Sequence, residues 1–144
     1  MSVNDIRTFG PGQGTRFIPE WGDDASPNWS ESEWRSFGDP NGEYFGGGWE
    51  GEPGTLLCDP YPYDEVCIMI SGRVALIDLD GNRREFSSGE AFFVPQSFRG
   101  TWETLSRRRS SSSRSPDRAH DGGNFDDCRS VWSRDQRNVR EPGR

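Results

Sequence analysis

The side chains best suited to chemistry are concentrated in one short stretch of the sequence, "YPYDEVCIM", residues 61–69. It holds a carboxylate in Glu65, a thiol in Cys67 and phenol groups in Tyr61 and Tyr63. A carboxylate can serve as a general base or a metal ligand, and a thiol as a nucleophile. Cys67 would need a base or a cation nearby to lower its pKa, and the sequence shows none, so we expect an inert buried thiol. Glu65 is therefore the best candidate for a catalytic residue.

The segments that must position these side chains are predicted to be β-strands. Between residues 42 and 105, short apolar or aromatic segments recur about every ten residues, and no helical periodicity separates them. The predicted strands are "EYFGGGWEG", "GTLLCD", "EVCIMI", "GRVALIDL", "REF", "EAFFVP" and "GTWETL". We expect a turn at Gly72, between the third and fourth of them, and a hairpin at Asp80-Gly81. The predicted class is all-β, a sandwich or barrel with Greek-key or jelly-roll connections.

Alternation along a strand divides its side chains between two faces. If Glu65 points into a barrel, the residues on the opposite face, which we expect to pack between sheets, are Val66, Ile68 and Ile70. On the last predicted strand, Trp102 shares its face with Gly100. The predicted ligand-binding pocket consists of Tyr61, Tyr63, Glu65, Cys67, Met69, Phe98 and Trp102. Such a pocket suits a small polar or cationic molecule, but small barrels also fill their interior with side chains, so a packed lumen is the alternative.

The two ends of the chain differ from this central region. Residues 1–35 are acidic and polar, and we predict an extended arm that anchors to the core through Trp21, Trp29 and Trp34. Within "SPNWSESEWRSF", Ser30 and Glu33 have the spacing of a helix N-cap, which predicts one helical turn. Residues 106–144 are rich in Arg and Ser and contain no Leu, Ile or Met, so we predict a disordered basic tail. The predicted organisation is an arm over 1–35, a β-barrel domain over 36–105 and a tail over 106–144.

Composition excludes several classes of partner. The net charge of the 144 residues is −7, and residues 1–105 carry 7 Arg against 18 acidic residues. Such an acidic region does not favour nucleic acid as a partner. No apolar run approaches the ~18 residues of a membrane span, and the N-terminus does not have the pattern of a secretory signal. The three cysteines, an odd number without zinc-type spacing, are expected to be reduced, and we predict a cytoplasmic protein.

Two spacings in the central region resemble the motifs of the cupin superfamily. Glu65 is followed after six residues by Gly72, and Gly89 is followed after five residues by Pro95. Together with "GDPNGEYFGGGWEGEPGTL", "YPYDEVCIMISGRV" and "GEAFFVPQSFRGTWET", they make residues 36–105 similar to ureidoglycine aminohydrolase-type cupins. The resemblance implies a small RmlC-like jelly-roll barrel that is often dimeric. It also implies a closing strand after "GTWET", where the Arg/Ser-rich sequence instead predicts an unpaired sheet edge.

The resemblance further implies a metal site of three imidazoles and one carboxylate, of which only the carboxylate of Glu65 is kept. Asp59 and Tyr61 stand at the first two histidine positions and Gly100 at the third, while the single histidine, His120, lies in the predicted tail. We therefore expect no cofactor. A weak site for Mn, Fe or Zn on Asp59, Tyr61 and Glu65 is the alternative, because three oxygen ligands without imidazole bind such metals poorly.

These observations lead to one preferred function and two alternatives. The preferred hypothesis is a homodimeric cupin that binds a small molecule without a metal. The first alternative is a metal-dependent aminohydrolase acting on a ureido or amide substrate, as the resemblance implies. The second is a non-catalytic dimeric cupin with a structural or regulatory role and a filled lumen. Fold alone does not choose among them, because a cupin barrel hosts many chemistries.

Overall fold

The structure, a computed structural model, describes residues 1–38 and 44–115. It contains one antiparallel sheet of eight strands: β1 (Thr15–Phe17), β2 (Glu31–Gly38), β3 (Phe45–Gly51), β4 (Gly54–Cys58), β5 (Asp64–Asp78), β6 (Arg83–Ser87), β7 (Ala91–Val94) and β8 (Gly100–Ser115). Two short 3-10 turns, Val3–Asp5 and Gly22–Asp24, complete the described elements. None of the described helices is long and apolar enough to cross a membrane. The predicted all-β class is confirmed.

The two longest strands, β5 and β8, pair with each other along nearly their whole length. The first half of β5 also pairs with β7, and its second half pairs with β6. Similarly, the first half of β8 pairs with β4 and its second half with β3. The two halves of each strand therefore belong to two halves of one folded sheet, and the barrel interior, here called the lumen, lies between them.

The bend in β5 occurs where its pairing with β8 is irregular, between Met69 and Val74. Gly72 has a φ of +81° there, and a Cβ atom at this position would lie 2.3 Å from the carbonyl oxygen of Arg107. Only glycine fits such a position without strain. The expected turn at Gly72 is therefore wrong: "EVCIMI" and "GRVALIDL" form one bent strand rather than two strands with a turn between them.

The predicted N-terminal arm contributes two strands to the sheet, so the predicted domain start at residue 36 is wrong. β2 pairs with β3 from Glu31 to Gly38, and β1 adds an edge strand beside it. The helical turn predicted from Ser30 is also wrong, because Glu31 and Glu33 are both buried on one face, the period-two pattern of a strand. The hydrogen-bonded pairing of β2 with β3 outweighs the local preference for a helix N-cap.

The C-terminal boundary predicted at residue 105 is wrong as well, because β8 continues without interruption to Ser115. Its second half lies between β3 and β5, so the expected unpaired edge does not form there. The inward-facing residues of this half are Arg108, Ser110, Ser112 and Arg114, all buried. Disorder was predicted from the polar composition of the segment alone, but its buried charges are balanced by carboxylates on other strands. The remainder of the predicted tail, 116–144, lies outside the described residues.

An apolar cluster packs at the centre of the fold. Its members are Leu56, Cys58, Tyr61, Cys67, Met69, Val74, Phe86, Val94 and Trp102. Of the three predicted anchors, Trp21 and Trp29 pack against this cluster, and Trp34 is not among its contacts. The alternation predicted for β5 also holds for Glu65, whose side chain is buried.

The opposite face of β5 differs from the prediction. The side chains of this face are 45–47% exposed in the described part of the chain, rather than packed between sheets; they are Val66, Ile68 and Ile70. The apolar run of β5 was taken as a sign of burial on both faces. In the structure, the odd-numbered side chains face the lumen in the first half of β5, and the alternation changes after the bend, where Val74 is buried in the central cluster.

Candidate functional site

The Glu65 carboxylate, on β5, lies at the centre of a buried polar network in the lumen. The hydroxyl of Tyr61 donates a hydrogen bond to its Oε2 atom, and the hydroxyl of Ser112 donates to Oε1. The Nε atom of Arg114 also donates to Oε1, at 3.0 Å. With a side-chain exposure of only 1%, this carboxylate has its charge balanced by Arg114 rather than by water.

The Arg114 guanidinium connects Glu65 to a second buried carboxylate, that of Glu33 on β2. Its Nη1 atom donates to Glu33 Oε2 at 3.1 Å, and its Nη2 atom lies 3.4 Å from the Tyr61 hydroxyl oxygen. Its Cζ atom also lies 4.4 Å from the ring centroid of Trp49 and 4.9 Å from that of Tyr63. Every nitrogen of the guanidinium therefore has a polar partner, and two aromatic rings flank it.

Glu33 has two further donors. The indole N–H of Trp49 donates to Oε2 at 3.1 Å, and the Nε atom of Arg35 donates to Oε1.

Burial by itself would lower the pKa of Arg114. The neighbouring groups, with Glu65 the strongest of them, outweigh this effect and hold its pKa well above the usual value. The guanidinium is therefore a permanent cation in the lumen.

A second ion pair joins Arg108 of β8 to Glu31 of β2. The Nη2 atom of Arg108 donates to Glu31 Oε1 at 2.9 Å, and the indole N–H of Trp21 donates to Oε2 at 3.0 Å. The two networks together contain three arginines, Arg35, Arg108 and Arg114, and three glutamates, Glu31, Glu33 and Glu65. Their formal charges cancel, which is the condition under which so many charges can be buried.

The lumen contains a small cavity. It has a volume of about 10 Å³ and lies beside Arg108, Trp29 and Trp102. Each of these three side chains has one buried N–H group without a partner among the described residues. A volume of ~10–15 Å³ is the lower limit for a single water molecule, and buried donors of this kind are commonly satisfied by one. The cavity is too small for an organic ligand.

The structure brings most of the predicted pocket residues together, but as packing partners. The Tyr61 ring stacks on Trp102, with centroids 6.1 Å apart, and Tyr63 meets Tyr61 edge to face. Cys67 and Met69 are buried in the same cluster, and Phe98 and Tyr63 pack against it. Of the two alternatives for the lumen, the packed one therefore describes this structure.

The thiols and the phenol in the lumen are not activated. Burial raises the pKa of Cys67 above its ordinary value, and the nearby charge of Glu65 raises it further. Burial likewise raises the pKa of Cys58 to about 12. The pKa of Tyr61 is also raised, mainly by burial, although Arg114 opposes the effect. A nucleophile or base needs the opposite shift, so these groups fit a structural role.

Sequence reasoning found Glu65 but missed four of its companions in the networks, Glu31, Glu33, Arg108 and Arg114. The signal that could have found them is period-two alternation. "ESE" at 31–33 places two carboxylates on one face, and "RRSSSSR" at 108–114 places Arg, Ser, Ser and Arg on one face. Neither pattern identifies its partner, because the pairing joins segments about eighty residues apart, as from Glu33 to Arg114.

Comparison with known proteins agrees with this architecture. Residues 40–109 match the EutQ-like cupin domain family. This part of the chain is therefore similar to a cupin domain. Among curated proteins, no match to this sequence was found. The match is to EutQ-like cupins, so the ureidoglycine aminohydrolase type stays a prediction.

Solved structures resemble this chain in fold. The EutQ protein of Clostridium difficile aligns with a TM-score of 0.57 and 22% identity, over 69% of this chain and 75% of that protein. A protein of unknown function from Pseudomonas syringae pv. tomato aligns with a TM-score of 0.61 and 21% identity, over 71% of this chain and 45% of that protein. A cupin 2 conserved barrel domain protein from Rhodopseudomonas palustris gives a TM-score of 0.56 at 15% identity, over 79% and 83% of the two chains.

The lumen does not fit the metal site that the resemblance implied. Asp59 lies at the surface, where it is 57% exposed and paired with Arg99, whereas Glu65 is only 1% exposed. Within residues 1–38 and 44–115, no three His, Cys, Asp or Glu side chains are grouped so as to hold a metal ion. The cation of Arg114, 3.0 Å from Glu65, would also repel a divalent ion there. Asp59, Tyr61 and Glu65 are therefore not a joint ligand set.

Proposed function

We propose that this cupin domain is non-catalytic and acts as a dimeric structural or regulatory module with a filled lumen. The main evidence for the proposal is the position of Arg114, whose guanidinium donates a hydrogen bond to the carboxylate of Glu65 in the lumen. This was the second alternative drawn from the sequence. It is now preferred to small-molecule binding in the lumen.

The two other hypotheses require features that this lumen does not favour. A small-molecule site usually occupies ~300–1,000 Å³, against the cavity of about 10 Å³ beside Arg108. A metal-dependent aminohydrolase acting on a ureido or amide substrate would need a carboxylate free to bind metal or to accept a proton. The Glu65 oxygens instead accept hydrogen bonds from Tyr61, Ser112 and Arg114.

Metal analysis and ligand screening of the purified protein test the filled lumen. We expect substoichiometric Mn, Fe and Zn, and no saturable change in melting temperature with small amines, amides or sugars. The matched variant is Tyr61→Phe, which keeps the ring but removes the hydroxyl that contacts Glu65. One metal ion per chain, or a ligand that stabilises the wild type but not Tyr61→Phe, would overturn the proposal.

The dimeric part of the proposal rests on the β5 outer patch, formed by Val66, Ile68, Ile70 and Phe93. These side chains are 45–52% exposed, and Val66 lies directly opposite Phe93 in the pairing of β5 with β7. The β8 residues paired with Ile68 and Val66 are serines, so β8 places no charge directly opposite these two side chains. An exposed apolar patch of this kind suits a two-fold contact with a second copy of itself.

Replacing Ile68 with aspartate is expected to convert the dimer to a monomer, because the interface would then bury an unpaired carboxylate. We expect the dissociation constant to rise about a hundredfold or more, measured by analytical ultracentrifugation. The control is Leu79→Asp, the same kind of change at a residue 74% exposed and just beyond β5, outside the patch. A monomeric wild type, or an Ile68→Asp protein that stays dimeric, would contradict the assignment of this surface.

A further inference from the structure

The site around the Arg114 guanidinium is built almost entirely by other strands. Glu33 comes from β2, Trp49 from β3 and Glu65 from β5, while Tyr61 and Tyr63 precede β5. The side chains of Glu33 and Glu65 are each only 1% exposed. The groups that recognise the guanidinium therefore do not depend on β8, apart from the hydroxyl of Ser112 on Glu65.

The chemistry of this site is specific for a planar cation with several N–H donors. Two carboxylates bind two different nitrogens of the guanidinium, and the third nitrogen lies near the Tyr61 oxygen. The rings of Trp49 and Tyr63 lie within cation–π distance of its carbon atom. An ammonium group offers a compact point charge and could not span both carboxylates in this way.

The charge balance of the site also calls for a cation. Without Arg114, the buried carboxylates of Glu33 and Glu65 would have one remaining cation among their contacts, Arg35, which binds only Glu33. Glu65 would then be a buried and unpaired charge, and such charges are strongly destabilising. A ligand that restores the missing positive charge is therefore favoured by the site itself.

We propose that the lumen is a guanidinium-binding site that is occupied by the chain's own Arg114, and that it takes alkylguanidines when this side chain is absent. The inference rests on the proposed function in one respect, since Arg114 is the group that fills the lumen. It adds the chemical class of ligand for which the lumen is built.

The Arg114→Ala variant with ethylguanidine tests this proposal, because ethylguanidine contains the atoms that the substitution removes. We expect ethylguanidine to raise the melting temperature of Arg114→Ala in a saturable way and to leave the wild type unchanged. n-Propylammonium, with the same charge, is expected to bind at least about tenfold more weakly, since it cannot reach both carboxylates. The matched control is Arg109→Ala, on the same strand, where the arginine is 50% exposed and pairs with Glu50.

A second measurement covers the case in which Arg114→Ala does not fold. The variant is then refolded from urea with and without ethylguanidine, and recovery of folded protein only with ethylguanidine supports the proposal. Equal recovery in both conditions, equal binding of the two cations, or the same response in Arg109→Ala overturns it. Metal content and ligand response of the wild type test the filled lumen separately, so the two proposals can fail independently.

Discussion

A chain that ends at Leu105 is expected to remain unfolded, whereas a chain that ends at Ser115 is expected to fold. The ten residues between these ends form the half of β8 that pairs with both β3 and β5. They also carry Arg108 and Arg114, the cations that balance the buried carboxylates of the lumen. Each buried charge left without its partner costs several kcal/mol, which together approach or exceed the ~5–15 kcal/mol stability of a typical domain.

Circular dichroism and urea unfolding of the two truncated chains measure this difference. The chain ending at Ser115 retains every contact described here, so it serves as the matched control for the shorter one. We expect cooperative unfolding for residues 1–115 and no cooperative transition for residues 1–105. A cooperative transition of similar midpoint in both chains would show that the second half of β8 is dispensable, and it would restore the boundary predicted from sequence.

The central strands could be predicted because their signals are local. The apolar runs of β4, β5 and β7, and the Asp80-Gly81 turn that leads to β6, identify themselves within a few residues. Alternation alone also groups Glu65 with Cys67 and Met69 on one face, which the structure places in the lumen. The sequence pattern did not show whether Gly72 ends a strand or bends it. The outcome depends on the pairing of β5 with β8.

The ends of the sheet and the lumen network could not be predicted for a related reason. β2 and the second half of β8 are polar, and their burial depends on charges carried by each other and by β5. From its composition alone, "SRRRSSSSRS" is expected to be a solvated segment. Composition does not include the carboxylates on other strands that pair with its arginines. Which side chains fill the lumen therefore depends on which strands pair. For this reason Glu65 could be identified from the sequence, whereas its partner Arg114 could not.

Replacing Arg114 with methionine is expected to lower the free energy of unfolding by about 3–5 kcal/mol, the usual cost of breaking a buried ion pair. Methionine fills much of the space of the arginine side chain, so the loss reports mainly on the charge. The measurement is urea unfolding at neutral pH. Arg109→Met is the control on the same strand: its ion pair with Glu50 is half-exposed, and exposed pairs contribute only ~0–1 kcal/mol.

Neutralising the carboxylates in the same chain separates the cost of an unpaired charge from the value of the pair. If Arg114→Met destabilises the fold by leaving Glu33 and Glu65 uncompensated, then adding Glu33→Gln and Glu65→Gln should recover part of the loss. Buried ion pairs replaced by neutral groups of similar volume are often close to neutral in stability. A triple variant that is less stable than Arg114→Met would mean that the carboxylates stabilise the fold through Tyr61, Trp49 and Ser112 rather than through the arginine. A loss below about 1 kcal/mol for Arg114→Met would mean that its guanidinium is not the group that holds the lumen closed.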